Sequence, residues 1–436
     1  MAVSGEIRDL IEKTPFVDTH EHLLDERTRL RRAAAGEIPT DIGYLFSHYA
    51  DSDLIVAGMS ADDWKRVTTV GLDAKDKWKL IAPCYARTRH TGYLQNVRES
   101  VRMLYGEDDI RDDNFQAISD KVAANMKPGF YHRVLNDLAK VEYTQVNSFE
   151  HVVFNRTEDP ALLCQDLSFV ALSTQVSPEG ITTLSKESNI EVGSLDDWIR
   201  VVDWCFAAYG PRAIAVKNQS AYNRRLNYAQ VSKDDAARAF ARFLAKPDGF
   251  AYEDCAPFSD FLFHYCVEKA VEYNLPVKLH TGYYAGSGRM PLHRVAANPG
   301  DMCELLQAHP AAKFVMMHIT YPYQDEAIAI AKHYPNAYVD MCWAWIINPA
   351  ASVRLVKEYL MAAPANKLFT FGGDYTPVEL VPGHARIARK GLAQALSELV
   401  DEDWLDARDV PALVERLMRG NAHEVYDYKE TLKAWG

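Results

Sequence analysis

The sequence lacks the features that would direct it to a membrane or to a nucleic acid. No apolar run approaches the ~20 residues of a membrane span, and charged side chains occur within the first ten residues, where a secretory signal would have an apolar core. The 60 acidic residues outnumber the 48 basic ones, for a net charge of −12, which disfavours polyanionic partners. We therefore expect a cytoplasmic protein that acts on a small molecule, with neither nucleic acid nor membrane as a partner.

Cysteine is scarce and follows no pattern. The seven cysteines are scattered along the 436 residues, and no two of them form a CxxC pair. An odd number of isolated cysteines, most of them in apolar or helical surroundings, favours reduced thiols packed as small hydrophobic side chains over a disulfide framework.

The sequence also lacks internal repeats, low-complexity tracts and an evident linker, so we expect a single domain over residues 1–436. Short apolar runs that alternate with helical periodicity are typical of βα units around a parallel sheet. The eight runs that we assign to strands are Phe16–Asp18, Val141–Gln145, Phe169–Leu172, Ala213–Val216, Pro276–Leu279, Lys313–Met317, Ala337–Met341 and Lys367–Gly372. Eight βα units predict a closed (β/α)8 TIM barrel.

Residues 24–136 interrupt this pattern. They are rich in Tyr, Trp, Arg and Asp, and helical periodicity is found at Ala61–Thr68, Gly92–Tyr105 and Asp113–Asn125. Because a structureless loop of this length would be unusual in a compact domain, we predict a mainly helical insertion after the first strand. In a barrel, such an insertion lies over the catalytic face.

Five of the predicted strands end on a side chain that binds metals in proteins. The first runs into His20-Glu21-His22, and two histidines two positions apart in an extended segment point the same way. The fourth, fifth, sixth and eighth strands end on Lys217, His280, His318 and Asp374, respectively. A single histidine after a strand is usually a core or loop residue, but five such ends in one chain favour a shared site, because barrels build their active sites at the carboxyl ends of strands. Imidazole and carboxylate together suit zinc, manganese or iron.

This order of residues resembles the amidohydrolase superfamily, in particular its amidohydrolase 2 branch. The resemblance covers the strand ends named above and most of the chain after about Leu135. It depends on four motifs: FVDTHEHL from Phe16, LPVKLHTG from Leu275, GGD from Gly372 and GNA from Gly420.

The resemblance implies that His20, His22 and Asp374 bind a divalent metal that activates water, with zinc as the expected ion. It implies that His280 and His318 are further ligands. Asp374 would also transfer protons as a catalytic residue, and His318 would be a ligand or a catalytic histidine.

Lys217 matches a lysine that carries a carbamate and bridges two metals in dinuclear members of the superfamily. A carboxylated Lys217 would therefore mean two metal ions. A plain lysine would instead bind a substrate carboxylate beside one metal, or form a structural salt bridge. One metal and two metals both stay open at this point.

Several residues after the strands are candidates for holding substrate. Arg224 is the first choice, because a guanidinium group matches a carboxylate with two parallel hydrogen bonds. Four aromatic residues on the same set of loops are candidates for the wall of a pocket. They are Tyr222, Tyr283, Tyr321 and Trp343.

We therefore expect a metal-dependent hydrolase that uses metal-activated water on an amide, ester or lactone of a small, carboxylate-bearing substrate. A uronate-type sugar-acid isomerase is an alternative, because uronate isomerases resemble this chain in their first strand and in the large helical insertion that follows it. A nonoxidative decarboxylase that uses His318, and a metal-binding protein without catalysis, are further alternatives. Association into a homo-oligomer is also open.

Overall fold

The computed structural model describes residues 4–246, 252–288 and 290–436. Eight strands form one sheet in sequential order: β1 (Phe16–Glu21), β2 (Val141–Val146), β3 (Leu163–Ser168), β4 (Ala213–Asn218), β5 (Val277–Leu279), β6 (Phe314–Met316), β7 (Ala337–Asp340) and β8 (Leu368–Phe369). The backbone amide of Thr19 donates to the carbonyl of Phe371 at 3.0 Å, so the chain that follows β8 lies beside β1. The eight parallel strands form a nearly closed barrel, and the predicted (β/α)8 TIM barrel is confirmed.

Helices occupy most of the remaining chain. Before β2 they are α1 (Gly5–Lys13), α2 (Glu26–Ala34), α3 (Ile42–Phe46), α4 (Ala50–Val56), α5 (Ala61–Thr68), α6 (Ala74–Thr88), α7 (Gly92–Tyr105), α8 (Phe115–Ala124) and α9 (Phe130–His132). After β3 they are α10 (Pro178–Ser188), α11 (Leu195–Tyr209), α12 (Lys233–Ala245), α13 (Tyr252–Glu272), α14 (Asn298–Ala308), α15 (Gln324–His333), α16 (Ala344–Ile347), α17 (Pro349–Ala362), α18 (Val381–Asp401), α19 (Val410–Glu415), α20 (Asn421–Val425) and α21 (Tyr428–Trp435). Across the described ranges, no helix has both the length and the apolar character to span a membrane.

The three helices expected within residues 24–136 are found as α5, α7 and α8, with ends that agree to within two residues. Whether this segment covers the active site stays a prediction, as does the single-domain organisation. By contacts, the chain divides into two compact units. One comprises Met1–Thr144, Tyr284–Pro291 and Asp340–Ala422, and the other comprises Gln145–Tyr283, Leu292–Val339 and His423–Gly436.

In the first unit, α7 and α18 pack closely, and glycine makes the approach possible. A Cβ atom on Gly383 would overlap the Ser100 side chain and the Asn96 backbone, and one on Gly92 would overlap the Ile346 carbonyl. Helix α2 is fixed to the segment before α18 by an ion pair between Arg29 and Glu379 whose side chains are both fully buried. The segment after β1 is therefore joined to the segment after β8 by packing and by charge.

The second unit contains the parallel ladders from β3 to β7. The predicted third strand, Phe169–Leu172, was wrong, because the strand lies earlier, at Leu163–Ser168. Its sequence, LCQDLS, contains the buried charged residue Asp166. Asp166 accepts hydrogen bonds from the Lys278 Nζ at 2.8 and 2.9 Å, and both side chains are fully buried. Because Asp166 interrupts the apolar run with a charged side chain, apolar runs alone do not predict this strand.

Candidate metal centre

The end of β1 and the segment after β8 bring three metal-binding atoms together in the first unit. His20 Nε2 lies 3.4 Å from His22 Nε2, and each of these atoms lies 3.2 Å from Asp374 Oδ1. Tetrahedral ligands at bond lengths of about 2.0–2.1 Å stand about 3.3–3.4 Å apart. The triangle of His20, His22 and Asp374 therefore has the dimensions that a tetrahedral zinc ion requires, with one position left for a substrate or water.

Burial and backbone geometry hold this triangle in place. The His20 side chain is fully buried, and those of His22 and Asp374 are only 11% and 7% exposed. Asp374 adopts a left-handed backbone (φ 63°), which Asp tolerates better than most residues. Its amide donates to the His20 carbonyl at 2.9 Å. The left-handed turn thus brings the carboxylate back towards β1.

Two further carboxyl groups, those of Asp18 and Glu21, bind backbone amides next to the triangle. Asp18 Oδ1 accepts the amide hydrogens of His20 and Gly373, both at 3.2 Å, and Glu21 Oε2 accepts that of Tyr375 at 2.5 Å. Burial raises the pKa of Asp18 to about 7. Burial, and then the nearby Asp18 charge, raise the pKa of Glu21 well above its ordinary value. These groups tie the end of β1 to the segment that carries Asp374.

Glu21 also explains why residue 373 is glycine. A Cβ atom at Gly373 would overlap Glu21 Oε1. The Gly-Gly-Asp sequence after β8 is therefore needed for close packing against the second residue of the His-Glu-His motif.

A tyrosine from residues 24–136 reaches the triangle, and sequence reasoning missed it. The Tyr49 hydroxyl lies 2.7 Å from Asp374 Oδ2 and also 2.7 Å from the Asp374 carbonyl oxygen. Its ring stacks on Trp343 at 4.5 Å and on Tyr93 at 5.5 Å. Tyr49 and the preceding His48 both have left-handed backbones, with φ of 79° and 57°. Such strained residues cluster at functional sites, and Tyr49 is placed to orient the Asp374 carboxylate.

His280 and His318 form a second group, in the second unit. His318 Nε2 lies 3.0 Å from His280 Nδ1, and His280 Nε2 lies 2.9 Å from the Tyr283 carbonyl oxygen. His318 begins a run of three left-handed residues, with φ of 60° at His318, 49° at Ile319 and 54° at Thr320. Both imidazoles are buried, so the structure places the two predicted histidines together on the ends of neighbouring strands β5 and β6.

Lys217 lies at the end of β4 and is 1% exposed. Its Nζ stands 2.6 Å from Met317 Sδ, a thioether that accepts hydrogen bonds only weakly. The carbamate and the substrate-carboxylate readings of Lys217 both remain predictions.

The predicted substrate-binding residues are found in different surroundings. Arg224 is buried, its Nη1 pairs with Asp260 Oδ1 at 2.5 Å, and its guanidinium lies 4.3 Å from the centre of the Tyr228 ring. These contacts already engage the guanidinium, so its predicted role towards a substrate carboxylate gains no support from the geometry and stays a prediction. Asp260 lies 36 residues away in sequence, which is why the pair was not foreseen.

The aromatic candidates divide between the two units. In the second unit, Tyr222 lies against His280, with ring centres 4.5 Å apart, and Tyr283 lies edge-on to Tyr321 at 6.2 Å. In the first unit, Trp343 is fully buried against Tyr49. Trp343 is therefore placed to support Tyr49, and contact with substrate stays a prediction for all four aromatic residues.

Comparison with known proteins identifies the family. The amidohydrolase family model matches residues 193–428, which is more than half of the chain. The chain belongs to the amidohydrolase family. Membership indicates an enzyme and implies a divalent metal, and the three ligand atoms of His20, His22 and Asp374 fit one.

Among curated proteins, Protein fluG of Emericella nidulans is 27% identical over 179 residues. The match covers 38% of this amidohydrolase chain and only 20% of that protein, so the chain spans about a fifth of its relative.

Three solved structures share the fold along nearly the whole chain. The uronate isomerase of Thermotoga maritima is 14% identical, with a TM-score of 0.76 over 97% of this chain and 96% of that one. The glucuronate isomerase of Caulobacter crescentus is 15% identical, also at 0.76, over 97% and 93%. A Lactobacillus casei protein assigned as a metal-dependent hydrolase is 17% identical, at 0.67, over 98% of both chains. At these identities the likeness shows the fold alone.

Proposed function

We propose that this amidohydrolase is a metal-dependent hydrolase that adds water to the carbonyl carbon of an amide, ester or lactone. The observation that carries the proposal is the triangle of His20, His22 and Asp374, whose sides of 3.2–3.4 Å match a tetrahedral ion. Three protein ligands and one open position are the arrangement of catalytic rather than structural zinc sites.

We propose zinc as the ion, because two imidazoles and one carboxylate form a ligand set that zinc accepts. When bound, the metal supplies Lewis acidity, which polarises a carbonyl group and lowers the pKa of water towards about 7. The histidines orient the ion through neutral imidazole nitrogens, and Asp374 contributes the negative charge.

Asp374 carries the proton transfers in this proposal. Its Oδ1 faces the two histidines, whereas its Oδ2 accepts the Tyr49 hydroxyl. The carboxylate takes a proton from the attacking water and returns it to the leaving group, which an amine or alkoxide needs in order to depart. Tyr49 keeps the carboxylate in one orientation during both transfers.

His280 and His318 provide two more buried imidazoles within 3.0 Å of each other, and we propose that His318 serves as a metal ligand or as a catalytic histidine. We also propose that the substrate is small and bears a carboxylate. Because Arg224 is engaged by Asp260, Lys217 is the better candidate for that carboxylate if one metal is present. If Lys217 carries a carbamate instead, the second metal binds there.

The hydrolase proposal is tested by following oxygen from the solvent. The zinc-loaded chain is incubated in H2 18O with a panel of small carboxylate-bearing lactones, esters and amides, beside a blank without protein. We expect products in which the new carboxylate has gained one 18O atom, at a rate above the blank. Conversion of a substrate with all its original oxygen atoms retained would contradict hydrolysis.

A uronate-type isomerase is the second candidate. The observation that favours it is the phenol of Tyr49 held against Asp374, since a phenol and a carboxylate in contact suit the movement of a proton between neighbouring carbons. Two solved isomerases also share the fold over 97% of this chain. The isomerase candidate predicts that a uronate is converted to its ketose with deuterium from D2O at C1, and that its carboxylate gains no 18O from H2 18O.

A further inference from the structure

A cavity of about 760 Å³ lies in the first unit, between α1, α7, α17 and α18. Cavities of about 300–1,000 Å³ are the size that binds small molecules. The described residues that line it include none of His20, His22 and Asp374. The cavity is therefore separate from the candidate metal centre.

Positive charge dominates the lining. It contains five cationic side chains and two carboxylates, Glu12 and Glu99, in a chain whose net charge is −12. The cations are Arg8, Arg102, Arg386, Arg389 and Lys390. An excess of basic groups in one concave surface of an acidic protein attracts anions.

Carboxylates within the protein compensate only part of this charge. Arg102 Nη1 and Arg386 Nε share Glu99, at 2.5 and 2.8 Å. Across the parts of the chain that the structure describes, neither Arg8 nor Lys390 forms an ion pair. Five cations against the two carboxylates Glu12 and Glu99 therefore leave the lining with an excess of positive charge.

Arg389 lines the cavity, but it is only 3% exposed and its guanidinium group contacts residues outside the lining. Its Nη1 donates to the Ala139 carbonyl at 3.1 Å, and its Nη2 donates to the carbonyls of Thr14 and Lys140 at 3.1 and 3.3 Å. Within the described ranges, its Nε has no hydrogen-bond partner. Its guanidinium carbon also lies 4.3 Å from the centre of the Phe16 ring. Arg389 therefore adds positive charge behind the cavity wall, and direct contact with a ligand falls to Arg8, Arg102, Arg386 and Lys390.

Burial lowers the pKa of Arg389 to about 10, and the charge of the nearby Glu12 partly offsets this effect. The remaining wall contains the apolar residues Pro349, Val353 and Ile387 beside the polar Gln95 and Gln394. The cavity thus offers guanidinium groups to one end of a ligand and an aliphatic surface to the other.

We infer that this cavity is a binding site for a small organic anion, whose phosphate or carboxylate group lies against the arginines and whose carbon skeleton lies against Val353 and Ile387. Guanidinium groups bind both kinds of anion through paired, charge-assisted hydrogen bonds. The inference does not depend on the proposed hydrolase activity, because no residue of the metal centre takes part.

Titration calorimetry of the zinc-loaded full chain with phenyl phosphate, at constant ionic strength, tests the inference. We expect one saturable site per chain with a Kd of about 1 mM or tighter. The double variant Arg386→Gln/Lys390→Gln changes two exposed side chains, so the fold is retained, and its affinity is expected to fall at least about tenfold. The matched control Arg408→Gln/Lys433→Gln, at exposed cations outside the cavity, is expected to bind as the unaltered protein does.

The Asp374→Asn variant distinguishes the cavity from the metal centre, because phosphate groups also bind metals. Binding that persists in Asp374→Asn and weakens in Arg386→Gln/Lys390→Gln assigns the ligand to the cavity. Binding that is lost in Asp374→Asn and unchanged in Arg386→Gln/Lys390→Gln would overturn the inference. Binding that weakens equally in the control Arg408→Gln/Lys433→Gln would also overturn it. So would the absence of saturable binding up to about ten times the expected Kd of 1 mM.

Discussion

Replacing Asp374 with Asn is expected to lower kcat/KM by at least about 10³-fold, measured with whichever substrate shows 18O incorporation. The amide removes both the negative charge that binds the metal and the base that moves protons, and general acid–base catalysis alone contributes about 10²–10⁴-fold. Asn tolerates the left-handed backbone of residue 374 as well as Asp does, so the fold is retained. Thermal unfolding and metal content are measured on the same preparation.

Tyr49→Phe is the matched comparison. It removes the hydroxyl that touches Asp374 and keeps the ring that stacks on Trp343. We expect the metal to stay bound and kcat/KM to fall by about 10–100-fold, which is the usual effect of losing a group that orients a metal ligand. If Asp374→Asn retains activity within tenfold of the unaltered protein, the assignment of Asp374 as the catalytic base is wrong.

Replacing Glu379 with Ala is expected to lower the free energy of unfolding by about 3–5 kcal/mol, the usual cost of removing one partner of a buried ion pair. Arg29 and Glu379 have fully buried side chains. Arg29 also lies 5.1 Å from the centre of the Phe130 ring, so water cannot easily replace the lost carboxylate. Equilibrium urea unfolding measures the change.

The double variant Arg29→Leu/Glu379→Leu separates the buried charge from the loss of packing. Because two apolar side chains replace a buried pair at little cost, we expect the double variant to recover more than half of the lost stability. Asp108→Ala breaks an exposed pair with Arg111 and is expected to leave the unfolding midpoint unchanged. A Glu379→Ala variant as stable as Asp108→Ala would show that the buried pair contributes nothing.

The sequence predicted those parts of the fold that local patterns specify. Apolar runs located β4 to β7 to within a few residues, and the residues after the strands predicted a metal site at His20, His22 and Asp374, which the structure brings together. The third strand was predicted wrongly because Asp166 places a charged residue within it. Asp166 pairs with Lys278 on β5, which lies 112 residues later in the sequence, so the pair forms only in the folded barrel.

The role of Tyr49 was not predicted, for a related reason. Its hydroxyl contacts Asp374 across 325 residues of sequence, and nothing in the residues around it marks a functional tyrosine among 23 in the chain. The engagement of Arg224 by Asp260 is likewise a tertiary contact. Sequence patterns predict a metal ligand from its position at a strand end, but they do not show which side chains orient that residue.

The most direct test of the metal centre is a crystal structure of the zinc-loaded protein, with diffraction recorded on both sides of the zinc absorption edge. We predict an anomalous peak about 2.0–2.2 Å from His20 Nε2, His22 Nε2 and Asp374 Oδ1. A further peak beside Lys217, with added density on its Nζ, would show a carbamate and a second metal without changing the first assignment. Zinc bound elsewhere, with His20, His22 and Asp374 free of it, would contradict the account.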